Sequence, residues 1–260
     1  MNAMEIDLNA DLGEGFGPWT MGDDAALLDV LSSANIACGF HAGDPLIMQR
    51  TIRLAAERGV DIGAHVGFPD RQGFGRRVMH IDTAELAAMV VYQLGALSGL
   101  ARAAGCRMTH MSFHGALGNM AAADITLAAP LLQAVARFDP TLVISSSSSR
   151  AIEQAAADAG LVVATSFLAD RAYDDQGLLV PRKLPDSVIK DEATVLRRVR
   201  QLLETGTVTT YSGTTLTMPV RSILVHGDTT GAVQLARLVR TEIERVGGRV
   251  VPLSRQAPQG

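Results

Sequence analysis

Glu5-Ile6-Asp7-Leu8-Asn9-Ala10-Asp11-Leu12-Gly13-Glu14 runs near the start of the chain with a period of two. Successive side chains of a strand point to opposite faces, so Ile6 and Leu8 share one face and Asp7, Asn9 and Asp11 the other. Polar atoms inside a barrel mouth are costly unless paired or used. The polar triplet is therefore either a buried layer tying strands together or part of a site. Beyond residues 4–9, strand-like runs recur at 33–38, 60–65, 107–113, 141–145, 161–166, 222–226 and 249–253. Helical patterns lie between most of them. The clearest covers residues 83–104, with Leu86, Met89, Val90, Leu94, Leu97, Leu100 and Ala101 on one stripe. Asp82 stands where its cap belongs, with Glu85 three residues on. Asp44-Pro45 opens another helix with a cap and a first-turn proline. Strands alternating with helices make a parallel sheet covered by helices. Seven or eight such units favour a closed α/β barrel over an open doubly wound sheet, in a single domain over residues 1–260. Met4 is an alternative start, which would make residues 1–3 an extension. Pro181, Pro185 and residues 206–219 mark irregular connections, the last with a hairpin pattern at 208–211 and 215–218.

Composition excludes several classes. A net charge of -4 with 4% aromatic residues gives neither a polyanion-binding patch nor a base-stacking platform, so no nucleic-acid partner is expected. Two cysteines, Cys38 and Cys106, are too few for a disulfide framework or a zinc cluster of paired thiolates. The first residues have no signal-peptide pattern, and no run of 18 uncharged apolar residues exists to span a membrane. The expectation is a cytoplasmic protein acting on a small molecule, with self-association left open.

Reactive residues of parallel α/β barrels sit at the C-terminal ends of strands. Four candidate strands end there in a related phrase: Gly39-Phe40-His41-Ala42-Gly43-Asp44, Gly63-Ala64-His65-Val66-Gly67, Phe113-His114-Gly115-Ala116 and Val225-His226-Gly227-Asp228. An imidazole supplies an acid, a base or a metal ligand near neutral pH, and the adjacent small residues allow a sharp turn. A lone histidine is more often a satisfied core residue; four sharing one topological address point to a site. His80 reads as surface, and His110 as core or site. Cys38 reads as a small buried side chain, because nothing local lowers its pKa. No Gly-x-Ser-x-Gly elbow is present, which disfavours a serine hydrolase. Gly13-Glu14-Gly15-Phe16-Gly17 lacks the helix that a dinucleotide fingerprint needs. The run from Ser145 to Ser149 is a polar turn or an anion site. Pro69-Asp70-Arg71-Gln72-Gly73-Phe74-Gly75-Arg76-Arg77 and Ala169-Asp170-Arg171-Ala172-Tyr173-Asp174-Asp175 follow two of the strands. Their arginines either anchor loops or bind a carboxylate or phosphate.

Together with Asp7 to Gly15, the blocks Ser33-Ala34-Asn35-Ile36-Ala37-Cys38-Gly39-Phe40-His41-Ala42-Gly43-Asp44-Pro45, Gln72 to Arg77, Ala169 to Tyr173 and Val225 to Asp228 resemble the LamB/YcsF family, in order and over essentially the whole chain. That family is the A subunit of the prokaryotic ATP-dependent 5-oxoprolinase. The resemblance implies a seven-stranded, distorted TIM-like barrel of the glycoside hydrolase/deacetylase type. It implies a reaction in which 5-oxo-L-proline, ATP and water give L-glutamate, ADP and phosphate, with subunits B and C as partners. Catalysis falls to Asp11, His41, His65 and His114. Substrate binding falls to Asp7, Asn9, Glu14, Asp44, Arg76, Asp170, Arg171, His226 and Asp228. ATP is used by the complex; a divalent metal is an open alternative, with no ligands assigned.

The chain departs from the pattern expected of that family. Lys-Pro-His-Gly-Ala-Leu-Tyr-Asn stands here as Ser112-Phe113-His114-Gly115-Ala116-Leu117-Gly118-Asn119, so Ser112 replaces Lys and Gly118 replaces Tyr. Ser166 replaces a Glu, and Val66 a Pro. Two opposite charges lost together suggest a pair, because removing one would strand a buried charge at about 3–5 kcal/mol. Two other functional readings follow. One is a metal-dependent deacetylase or C–N hydrolase; the other is a non-catalytic barrel that binds a partner.

Overall fold

A computed structural model describes residues 4–229 and 231–256; the suggested extension at 1–3 lies outside them. The strands are β1 (Glu5–Leu12), β2 (Ser33–Ala37), β3 (Asp61–Val66), β4 (Met108–Phe113), β5 (Val143–Ser146), β6 (Val162–Leu168), β7 (Thr207–Thr209), β8 (Thr215–Thr217), β9 (Ser222–Val225) and β10 (Arg249–Val250). Seven of them, β1 to β6 and β9, pair in parallel around a closed ring. β1 closes it: Asp7 to Ala10 pair with β9, and Asn9 to Leu12 pair with β2. β7 and β8 form the expected hairpin outside the ring.

The strand expected at 249–253 is not a stave of the barrel. Only Arg249 and Val250 pair, and they do so with Glu5 and Ile6 outside the ring. Pro252 has no N–H to continue a ladder, and the chain turns into a short 3-10 helix at Leu253–Arg255. β1, in contrast, runs three residues past its expected end at Asn9. It can do so because the polar Asp11 finds a partner on β2: Asn35 Nδ2 donates to Asp11 Oδ1 at 3.0 Å.

Helices α1 (Asp24–Leu28), α2 (Pro45–Glu57), α3 (Thr83–Ala103), α4 (Gly115–Ala123), α5 (Ile125–Phe138), α6 (Arg150–Asp158), α7 (Glu192–Thr205) and α8 (Ala232–Arg245) lie around the barrel. The caps read from sequence are in place. Asp82 accepts from the amides of Ala84 and Glu85, and Asp44 from those of Leu46 and Ile47. By length and composition α3 could cross a membrane. Its Leu86, Val90, Leu94, Leu97 and Ala101 are instead buried in the core, where it packs on α5 and β3. The predicted stripe is thus buried at five positions, and its other two residues, Met89 and Leu100, pack against the core half-buried.

The polar face of β1 divides by depth. Asp7 is fully buried near the start of the strand. Its carboxylate accepts from Ser32 Oγ at 2.7 Å, Ser33 Oγ at 2.5 Å and Ser222 Oγ at 2.6 Å, which ties β1 to β2 and β9. Burial pushes its pKa up from 3.8 to about 6, against the three hydroxyls. The folded chain therefore binds this proton more tightly than the unfolded one. The resulting stabilisation is full below pH 3.8 and is lost as pH rises through about 6. A shift of that size corresponds to about 3 kcal/mol. Asp7→Asn should remove this component. Urea unfolding at pH 4 and pH 7 is expected to show a smaller gain on acidification in the variant than in the native chain. Equal gains would count against the assignment.

Candidate functional site

The chain delivers three imidazoles to one place by three routes. His41 follows β2 through the Gly39-Phe40 turn, His65 is the penultimate residue of β3, and His114 is the N-cap residue of α4 directly after β4. Glu14 follows β1. All four side chains are buried, each exposed by 6% or less. One nitrogen or oxygen from each lies within 4.8 Å of the others.

Hydrogen-bond arithmetic fixes the tautomers. His114 Nε2 lies 2.7 Å from the Phe74 carbonyl, which can only accept, so Nε2 carries the proton. In the neutral ring Nδ1 is then an acceptor. His65 Nε2 donates to it at 2.9 Å. His65 Nδ1 must in turn accept, and Ser112 Oγ donates to it at 2.7 Å. The result is a directed chain from Ser112 through His65 and His114 to a backbone oxygen. Phe74 adopts φ +55°, a conformation that costs a non-glycine residue about 1–3 kcal/mol, in the loop that places its carbonyl against His114. Gly75 beside it tolerates no side chain: a Cβ there would lie 2.8 Å from both His41 and His114.

Burial disfavours charge throughout the cluster. Burial keeps His41 and His114 well below the ordinary imidazole range. Burial, then the positive charge of His226 and Arg76, pushes His65 down to about 3. Burial, then the Asp11 and Asp228 carboxylates, pushes Glu14 well up. Neutral imidazoles in this setting act as proton acceptors or ligands across the physiological range.

His65 and His114 face a cavity of about 580 Å3, a volume suited to a small organic ligand. Cations line the same cavity: Arg76, Arg171, Arg182 and Lys183. Arg76 pairs with Asp228 at 2.9 Å and lies over the Phe74 ring. His226 Nδ1 donates to both Asp170 oxygens, at 2.7 and 2.9 Å, and Arg182 reaches its Nε2 at 3.2 Å.

The sequence profile of the LamB/YcsF family matches residues 6–258. The chain belongs to that family. It is 70% identical over 253 residues to a 5-oxoprolinase A subunit from Ralstonia nicotianae, covering 97% of each. It is 66% identical to a 5-oxoprolinase A subunit of Pseudomonas syringae pv. tomato, covering 96% of this chain and 98% of that one. Among solved structures it superposes on the lactam utilization protein of Thermus thermophilus with a TM-score of 0.90 at 38% identity, covering 96% and 100% of the two chains.

Within this LamB/YcsF barrel, the expected site residues separate into those at the mouth and those elsewhere. Asp11, His65, His114, Arg76, Arg171 and His226 line the cavity; Glu14 and His41 stand behind the imidazoles, and Asp170 and Asp228 behind the cations. Three expected binders lie elsewhere. Asp7 lies in the strand-tying layer. Asn9 donates to Asn35 within the barrel. Asp44 spends its carboxylate on the α2 amides and on Gly17 N. Arg171 donates to the Ser187 and Val180 carbonyls, so it orders its loop as well as facing the cavity.

Arg182 and Lys183 were missed. Two adjacent cations between Pro181 and Pro185, soon after a barrel strand, were the available signal. Ser112 and Ser166, where the resemblance led us to expect charged residues, are both at the cavity. Ser112 joins the histidine chain, and Ser166 shares a hydrogen bond with Ser145 at 2.8 Å. At Gly118 a Cβ would meet the Phe113 carbonyl at 2.6 Å, so this backbone admits no tyrosine there.

The His226–Asp170 pair gives a pH test. Burial alone would lower His226, but the charge and hydrogen bond of Asp170 outweigh it and the net shift is upward. Burial alone would raise Asp170, and His226 outweighs that, so the carboxyl ends lower. The histidine's share of stability is full below pH 6.5 and lost as pH rises through its raised value. The aspartate's share is present above 3.8 and lost as pH falls through its depressed one. Asp170→Asn removes the counter-charge, so the His226 ring should titrate below 6.5, as followed by NMR. An unchanged or higher midpoint would refute the pairing.

Proposed function

We propose that this chain opens the ring of 5-oxo-L-proline as the A subunit of an ATP-dependent 5-oxoprolinase, with subunits B and C consuming the ATP. The observation that carries the reading is the pairing of neutral buried imidazoles with a cation-lined cavity, in a chain 70% identical to a protein named as a 5-oxoprolinase A subunit. A lactam amide is a poor electrophile. Phosphoryl transfer to its oxygen by the partner subunits makes the ring carbon attackable. Water adds there, the ring C–N bond breaks to free the amine, and a second water hydrolyses the acyl phosphate to glutamate and phosphate. His114 is the candidate base: a water that displaces His65 from Nδ1 finds the free lone pair there, while Nε2 stays on the Phe74 carbonyl and Ser112 holds the His65 ring. Asp11, beside His65 at 3.5 Å, balances charge developing there. Arg76, Arg182 and Lys183 suit the substrate carboxylate and the phosphoryl group. Such a complex works in the cytoplasm, where its ATP is supplied.

The test is an ATP-dependent 5-oxoproline assay of this chain with and without subunits B and C. Glutamate is expected only from the full complex with ATP. His114→Ala should lower kcat by about 10²–10⁴-fold, the usual contribution of a positioned base. Turnover by the isolated chain without ATP would refute the division of labour. Full activity of His114→Ala in the complex would refute the site.

A further inference from the structure

Glu14 Oε1 and both ring nitrogens of His41 are buried without any hydrogen-bond partner. Leaving one such atom unsatisfied costs about 1–3 kcal/mol, and here three are grouped in one place. His41 Nε2 faces Glu14 Oε1 at 3.7 Å. Its Nδ1 lies beside Gly67, where an added Cβ would come within 2.5 Å, so only glycine leaves room for the ring in this position. The two groups point at each other across a gap too long for a hydrogen bond.

That gap has the dimensions of a coordination sphere. Nitrogen and oxygen ligands lie about 2.0–2.1 Å from a tetrahedral zinc-like ion, which sets ligand atoms roughly 3.3 Å apart. Glu14 and His41 are within a few tenths of an ångström of that spacing. The His65 ring stands at 87° to His41, so their in-plane lone pairs can converge on one point. His114 cannot join them. Its ring is parallel to His41 within 4° at 3.8 Å, so the two sets of lone pairs run side by side. Its Nδ1 lies 3.8 Å from Glu14 Oε1, much as His41 Nε2 does, but it is spent on a 2.9 Å hydrogen bond with His65 Nε2.

We propose that Glu14, His41 Nε2 and His65 Nε2 bind one divalent transition-metal ion, with zinc the best match to a two-imidazole, one-carboxylate set. Ser112 is the positioning residue. When His65 Nε2 is a ligand its proton moves to Nδ1, and Ser112 Oγ turns from donor to acceptor. A hydroxyl does both. Losing the His65 donor leaves His114 Nδ1 free beside the ion, while its Nε2 stays on the Phe74 carbonyl. The ion enters from the cavity that His65 and His114 line. The proposal goes beyond the lactam reading, and binding alone decides it, so either can fail without the other.

The experiment uses the full chain, purified without a polyhistidine tag and stripped with a chelator. Zn(II) is titrated against a chromophoric chelator, and Co(II) is followed by its visible absorption. One equivalent should bind, with a tetrahedral-type Co(II) spectrum. Glu14→Gln and His41→Gln should each weaken Zn(II) binding by more than about 100-fold, beyond the 10–100-fold typical of residues behind the ligands. Ser112→Ala should weaken it within that 10–100-fold range, and Ser112→Thr should restore it. His114→Gln and the exposed His80→Gln should keep one equivalent. Failure to bind one equivalent, undiminished binding by Glu14→Gln, or loss in His114→Gln equal to that in His41→Gln overturns the assignment. If a ligand variant melts before titration, the native Co(II) spectrum decides: a tetrahedral type supports the site and an aqua-ion type overturns it.

Discussion

Closure of the ring at β1 is the constraint on which the site depends. One strand must satisfy two neighbours at once, and β1 does so by a stagger: its first half pairs with β9 and its second half with β2. The stagger brings Asp7 against serines of both neighbours at one depth and Asp11 against Asn35 at another. It also sets the ends of all seven strands around one mouth. Glu14, His41, His65 and His114 come from the ends of four separate strands, and no local structure links them. Their meeting is a consequence of closure, so weakening the β1 seam would disperse the chemistry before it unfolded the helices.

The barrel, and the strand ends at which the histidines gather, were legible in the sequence for definite physical reasons. Buried parallel strands are apolar and short, and the helices over them repeat every 3.6 residues, so both signals survive in one sequence. Four His-Gly turns marked the strand ends. Depth was not legible. Asp7 and Asp11 share a face, yet four residues of strand separate them by about 13 Å, enough to put one in the sealed layer and the other at the cavity. Competition between roles was not legible either. Asp44 was read both as a cap and as a binder, and the helix amides took the carboxylate. The direction of a backbone carbonyl has no signature in side chains, so nothing in the sequence announced that Phe74 would orient His114.

The eighth strand-like run shows the converse error. Residues 249–253 have the right composition, but ring closure between β1 and β9 leaves no place between staves. Only two residues pair at the outer edge. The correction is topological, and composition alone does not contain it.

Two electrostatic regimes share the mouth. On one side burial disfavours charge on three imidazoles and a carboxyl, and hydrogen bonds order the lone pairs and protons of His65 and His114. On the other side Asp170 keeps His226 toward its cationic form, and Arg76, Arg182 and Lys183 gather round the same cavity. The two cannot be exchanged. An imidazole forced neutral by burial is a poor anchor for an anion, and a charged one is a poor proton acceptor. The cationic wall suits a negatively charged group and the neutral wall a proton transfer, as the proposed reaction requires. The Ser112 to Phe74 chain then matters because a neutral histidine has two tautomers, and only one leaves the acceptor nitrogen of His114 facing the other members of the cluster.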